Sequence, residues 1–302
     1  DAWLAEQLRG AGLDPVILDS RGSLQVGYLR RLAGLVRSSG AAAILAHLYG
    51  SAVYGVLAGA LTRRPTACVF HGQSDITFGG RFDRLKARLV ARGAARLVAV
   101  SGPLRDTLAP ALRAQHRPWS VIPNGVDTTR LQPGHTSGLR ARLGISPDTV
   151  LVGALGNIRR PKAYDVFLHT AARLAETAPE CRFVIAGEGS GALAAELRAL
   201  RSRLGLEQRV EFVGLQTDIA GYLGELDLLL LTSATEGFSI ACVEAMACGL
   251  PVVATRSGGP EDIVVDGETG LLCPVGDAAA LAGAVARLAS DPATRRRMGQ
   301  AG

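Results

Sequence analysis

Lysine is almost missing from this 302-residue chain: of 33 basic residues, only Lys86 and Lys162 are lysines. Aromatic residues make up 5%, and no dense Lys/Arg block occurs. Scattered arginine without aromatic interleaving argues against a nucleic-acid partner. The 33 basic residues exceed 27 acidic ones and give a net charge of +6. That balance suits a phosphate-bearing ligand or an anionic membrane surface. The five cysteines, Cys68, Cys181, Cys242, Cys248 and Cys273, form no C-x-x-C pair, and most lie in apolar runs. They read as buried free thiols of a reducing compartment, so a cytoplasmic location is expected. No His/Cys cluster has zinc spacing. There is no Gly-Lys-Ser/Thr P-loop and no G-x-S-x-G hydrolase turn.

Hydrophobic residues at 48% and charged residues at 20% describe an ordinary globular chain. Its length allows about two domains. The uncharged run from Ser38 to Thr62 is long enough for a membrane span, which needs about 20 apolar residues. Its middle, LYGS, is turn-like, and it carries His47, Tyr49 and Tyr54. It reads as a strand, AAILAHL, followed by a helix, SAVYGVLAGAL. Short apolar strands alternate with amphipathic helices along the whole chain, from VILD, TACVFHG and RLVAVS to LDLLLLTS, PVVAT and GLLCPV. Such alternation implies parallel sheets covered on both faces. The fold class expected is α/β, with two doubly wound Rossmann-like domains and a cleft between them. The polar, Gly/Pro-bearing stretch from Thr128 to Gly138 reads as the linker, dividing residues 1–135 from 136–302. Ligands of open α/β sheets sit outside the carboxyl ends of strands.

The strongest such loop is TEGFSIACVEAMACG. It offers Glu236, Gly237, Phe238 and Ser239, then a helix closed by Gly249. Ser239 is placed to cap that helix, and free N–H groups there form an anion site. Gly237 allows close backbone approach. Glu236 and Glu244 flank the anion site and suit sugar hydroxyls as acceptors. Glu244 lies in an otherwise apolar helix, where a carboxylate is seldom buried without a partner. In LGNIRRPKAYDVFL, Arg159, Arg160 and Lys162 lie between a strand and a helix. Gly187 and Gly189, in FVIAGEGSG, read as a tight turn lining a nucleotide pocket. His71 follows a buried strand directly, at its carboxyl end.

EGFSIACVE resembles the E-x7-E signature of the retaining GT-B glycosyltransferases of family 4 (glycosyl transferases group 1). VIPNGVD, LGNIRRPKAYDVFL, FVIAGEGSG, VEFVGL and ACGLPVVATRSGGPEDIVVDGETGLLCPV are similar to that family in order and spacing. The resemblance implies a hexosyltransferase that moves a sugar from a nucleotide-diphosphate sugar to a glycan, lipid-linked or small-molecule acceptor, as in polysaccharide biosynthesis. It implies no cofactor and no metal, and the chain lacks the Asp-x-Asp pair of metal-dependent GT-A enzymes. Residues 1–135 would bind acceptor and residues 136–302 donor. Lys162 matches the family lysine that clamps the donor diphosphate, with Arg159 or Arg160 as second clamp. His71 would lie near the transferred sugar. Glu236 would orient sugar hydroxyls, Glu244 the ribose, and Gly237, Phe238, Ser239 and Ile240 would line the donor site. The chain departs from the pattern in Ala163, where glycine is commonest, and Asn157, where many members carry arginine. A first strand before residue 1 and a last helix after residue 302 are expected to be missing. A peripheral association with the inner face of a membrane is also expected. Two alternatives stay open: a nucleotide-sugar epimerase of the same fold, and a non-catalytic partner subunit.

Overall fold

The structure is a computed structural model and describes residues 2–18, 25–72 and 82–302. The chain divides into two compact units. The first comprises residues 1–70, 75–98 and 109–120; the second comprises 71–74, 99–108 and 121–302.

The N-terminal elements are α1 (Ala2–Gly10), α2 (Val26–Ser38), β1 (Ile44–His47), α3 (Tyr49–Thr62), β2 (Thr66–Phe70), α4 (Asp83–Gly93), β3 (Arg96–Ala99), α5 (Gly102–Ala111) and β4 (Trp119–Val121). Their four strands form one sheet in the order β1-β2-β3-β4, and β1 runs parallel to β2 with Ile44 opposite Thr66. The uncharged run is thus strand then helix, as its turn-like middle implied. Among the described residues no helix is long and apolar enough to cross a membrane. The strand expected at VILD does not form: Val16 to Leu18 make no ladder, and Asp19 lies outside the described residues. β1 pairs only with β2 among the described residues, so its outer edge is open, but Val16 to Leu18 form no ladder with it. Val16 and Ile17 stay 63% and 58% exposed.

The C-terminal elements are α6 (Leu139–Arg142), β5 (Val150–Leu155), α7 (Tyr164–Thr177), β6 (Cys181–Ala186), α8 (Gly191–Arg203), β7 (Val210–Gly214), α9 (Ile219–Gly224), β8 (Leu228–Leu231), α10 (Ile240–Ala247), β9 (Val252–Thr255), β10 (Gly270–Cys273), α11 (Ala278–Ser290) and α12 (Pro292–Ala301). Six parallel strands lie in the order β10-β9-β8-β5-β6-β7. Every residue of β5 is buried, because helices cover both faces. Alternate residues serve opposite cores. Val150, Val152 and Ala154 pack with Phe167, Leu168 and Leu174 of α7 and Val285 of α11. Leu151 and Leu155 pack with Tyr222 of α9 and Ala241 and Ala245 of α10. The order of chain travel reverses between β5 and β8. In open α/β sheets such a reversal is where ligands bind, outside the carboxyl ends of the strands.

Candidate functional site

Two loops meet at the reversal. The loop after β5 runs Gly156–Ala163 and includes a short 3₁₀ turn, Arg160–Lys162. The loop after β8 runs Thr232–Ser239. Hydrogen bonds stitch them together. Thr232 Oγ1 donates to the carbonyls of Lys162 (3.1 Å) and Ala163 (3.0 Å). The Ala234 N–H donates to the Pro161 carbonyl at 2.8 Å. This backbone frame brings Lys162 Nζ to 2.7 Å from Glu236 Oε1. Ser233 Oγ donates to the same oxygen at 2.7 Å. The Lys162 and Glu236 side chains are 24% and 12% exposed, so the pair is mostly withdrawn from water yet still reachable.

Glu236 is held from behind as well. Its N–H donates to the Ser257 carbonyl (2.8 Å), and its carbonyl accepts from Gly259 N–H (3.1 Å). Tyr164 donates its hydroxyl to the Gly156 carbonyl at 2.6 Å. Burial, and then the Glu236 charge, push its phenol well above the ordinary range. Gly187 sits at φ +152° beside the Gly156 carbonyl, where a Cβ would collide with backbone. The turns after β5 and β6 can therefore run in contact. Asn157 Oδ1 accepts from the Glu188 N–H at 3.1 Å, which gives that asparagine a loop-fastening role. Gly189 lies against the Ile158 side chain.

Beyond Glu236 the chain enters α10. Ser239 occupies the N-cap position but donates no capping bond. Among the described residues its hydroxyl, in a residue 1% exposed, has only the Cys242 thiol beside it and no oxygen or nitrogen partner, and the buried hydroxyl of Thr235 has none either. Buried polar groups are nearly always paired. Two orphaned hydroxyls on either side of Glu236–Gly237, beside a helix N-terminus, fit oxygen-rich ligand atoms. Gly237 is buried, and a Cβ there would strike the His71 carbonyl and Gly72 Cα, residues of the same compact unit. His71 is thus carried to Gly237 through its backbone. Phe238 is half-buried, and Ile240 is 45% exposed.

Glu244 stands apart from Glu236. It is half-buried, and desolvation pushes its carboxyl above the ordinary value. It opens on a pocket of about 550 Å³ shared with Ile240, Arg130, Thr217 and Asp218. Arg159 and Arg160 are exposed and line another groove, of about 580 Å³, with Leu193, Glu196 and Arg203. Arg160 reaches Glu196 only at 3.8 Å. The structure therefore brings Lys162, Glu236, Gly237, Ser239 and the His71 backbone together. It sets Glu244 in a neighbouring pocket and leaves both arginines on an outer groove. Ser233, Thr232 and Thr235 escaped the sequence reading. Their one signal was position: all three directly follow an apolar strand.

The second unit is a doubly wound α/β unit that carries a cationic side chain, a carboxylate and a helix N-terminus at its strand reversal. The chain belongs to the glycosyl transferases group 1 family, whose model matches residues 137–302. The model of glycosyltransferase family 4 matches residues 4–130. A D-inositol 3-phosphate glycosyltransferase of Kribbella flavida is 34% identical over 70% of this chain and 52% of its own length. The lipopolysaccharide core biosynthesis mannosyltransferase LpsB of Rhizobium meliloti is 36% identical over 58% of this chain and 51% of its own. The chain thus spans about half the length of the curated relatives it matches. The crystal structure of Anabaena HepE in complex with UDP-glucose superposes with a TM-score of 0.85, at 25% identity, over all of this chain and 83% of that one.

Proposed function

We propose that this chain is a retaining, metal-independent glycosyltransferase that takes a sugar from a nucleotide-diphosphate sugar to a carbohydrate or lipid-linked acceptor. The observation that carries the reading is the Lys162–Glu236 pair beside the orphaned Thr235 and Ser239 hydroxyls at the start of α10. An ammonium has three donors. With one on Glu236, two remain for diphosphate oxygens. Together with the α10 N-terminus they stabilise charge on the leaving diphosphate, which is the work a metal would otherwise do. Glu236 accepts from hydroxyls of the transferred sugar, and Glu244, in its own pocket, from the ribose. His71 serves the sugar, and Gly187, Gly189, Phe238 and Ile240 line the nucleotide.

Glu236 already accepts from Lys162 and Ser233, which makes it a poor nucleophile. Retention is then best served by attack on the face the diphosphate leaves. The bond from C1 to the phosphate oxygen breaks, the bond from C1 to the acceptor oxygen forms, and the acceptor proton passes to the departing phosphate. In this reading residues 136–302 hold the donor and residues 1–135 the acceptor. Arg159 can serve as second clamp only if its side chain turns in from the outer groove. The test is transfer from a panel of nucleotide sugars under chelation, with the anomeric configuration of the product read by NMR. Diphosphate release with a retained product supports the reading. A product that is an epimerised donor would favour the epimerase alternative instead.

A further inference from the structure

Ser101 ends the run RLVAVS and belongs to the same compact unit as the loop after β8. It is 1% exposed, and its hydroxyl works in two directions. It accepts the Leu104 N–H at 3.2 Å and so caps α5. It donates its one proton to the Gly237 carbonyl, 136 positions away, at 2.5 Å. The next residue adds a second attachment: the Gly102 N–H donates to Asp262 Oδ2 at 2.7 Å. Asp262 closes a short 3₁₀ turn that begins at Gly259. A Cβ on Gly259 would strike backbone atoms of Gly237 and Phe238. The peptide joining Gly237 to Phe238 is thus packed against backbone and pinned by its carbonyl.

A trans peptide is planar and points its N–H away from its carbonyl. Among the described residues no peptide is cis. Fixing the Gly237 carbonyl therefore fixes the direction of the Phe238 N–H. That N–H has no hydrogen-bond partner among the described residues, and it lies two residues before α10. A backbone donor already held in place needs no reorganisation when an anion arrives. A helix cap alone needs only an acceptor, which an aspartate supplies as well. The bond to Gly237 needs a proton, which a hydroxyl supplies and a carboxylate does not. We infer that Ser101 is a positioning residue of the donor site: through the Gly237 carbonyl it holds the Phe238 N–H for the diphosphate. The inference rests on the donor reading proposed above.

The experiment is calorimetric titration of the full chain with UDP and GDP, beside NMR titration with uridine and guanosine and a melting curve for each variant. Ser101→Ala and Ser101→Gly both remove the donated proton but differ at the cap, where glycine is tolerated better than alanine. They are expected to melt at different temperatures. Both should weaken whichever diphosphate the wild type binds more tightly by about three- to tenfold, the effect of one neutral hydrogen bond. Both should leave the matching nucleoside, which has no phosphate to meet the Phe238 N–H, unchanged. Losses that follow the melting temperature, nucleoside and diphosphate weakened alike, or diphosphate binding unchanged in both variants would overturn the proposal. A wild type that binds neither diphosphate would overturn the donor reading itself, and the proposal with it.

Discussion

Glu236 and Glu244 share one motif but meet different neighbours. Glu236 is ion-paired and braced by Ser233; Glu244 is desolvated in a pocket of its own. Glu244→Gln should therefore weaken nucleoside diphosphate and nucleotide sugar alike. Glu236→Gln should spare the free nucleotide and reduce turnover of the sugar donor, as calorimetry beside a transfer assay would read. A Glu236→Gln variant that loses the bare nucleotide as fully would reverse the roles. The raised carboxyl of Glu244 has a stability consequence. A carboxyl whose folded pKa lies above its unfolded value stabilises the fold while protonated, and that stability drains away as pH rises from about 4.5. Glu244→Gln should thus melt higher than wild type at pH 7, with the gap closing towards pH 4. A constant gap would assign the effect to packing. Lys86, the other lysine, is salt-bridged to Asp83 at 3.5 Å, so its replacement is no neutral comparison; exposed Arg173 serves better.

At the scale of elements, the loop after β5 bears a local cost. Ala163 has φ +46°, in the left-handed region. A Cβ there costs roughly 1–2 kcal/mol. Ala163→Gly should raise the melting temperature by roughly 2–4 °C for about 1 kcal/mol regained, without weakening nucleotide binding. An unchanged or lower melting temperature would mean the strain is absorbed elsewhere. The departure at Ala163 was legible in the chain as a missing glycine, and the structure supplies its backbone angle. Ser239 shows the opposite case. Its position before α10 pointed to a cap, but its hydroxyl is buried without a capping bond. Residue type alone cannot distinguish a serine that closes a helix from one left open to a ligand. VILD looked like a strand because its side chains are apolar, but hydrophobic pattern does not provide a ladder partner.

For the molecule as a whole, strand–helix alternation was enough to read two α/β units with parallel sheets, because burial on both faces leaves continuous apolar runs such as VLVGAL and LLLL; the reversal itself is seen only in the second sheet among the described residues. The strand order was not readable. It depends on which strands share an edge, and only that order brings Lys162 to Glu236 across 74 positions of sequence. On the function proposed above, this reversal builds a nucleoside diphosphate site that needs no metal. Calorimetric titration of the chain with nucleoside diphosphates in excess EDTA tests it most directly. One-to-one binding is expected, unchanged by chelation. Lys162→Ala should weaken it by ten- to a hundredfold, since a charge-assisted hydrogen bond contributes about 1.5–3 kcal/mol, and Arg173→Ala should leave it unchanged. Absence of binding, binding restored only by manganese, or equal effects of the two substitutions would contradict the account.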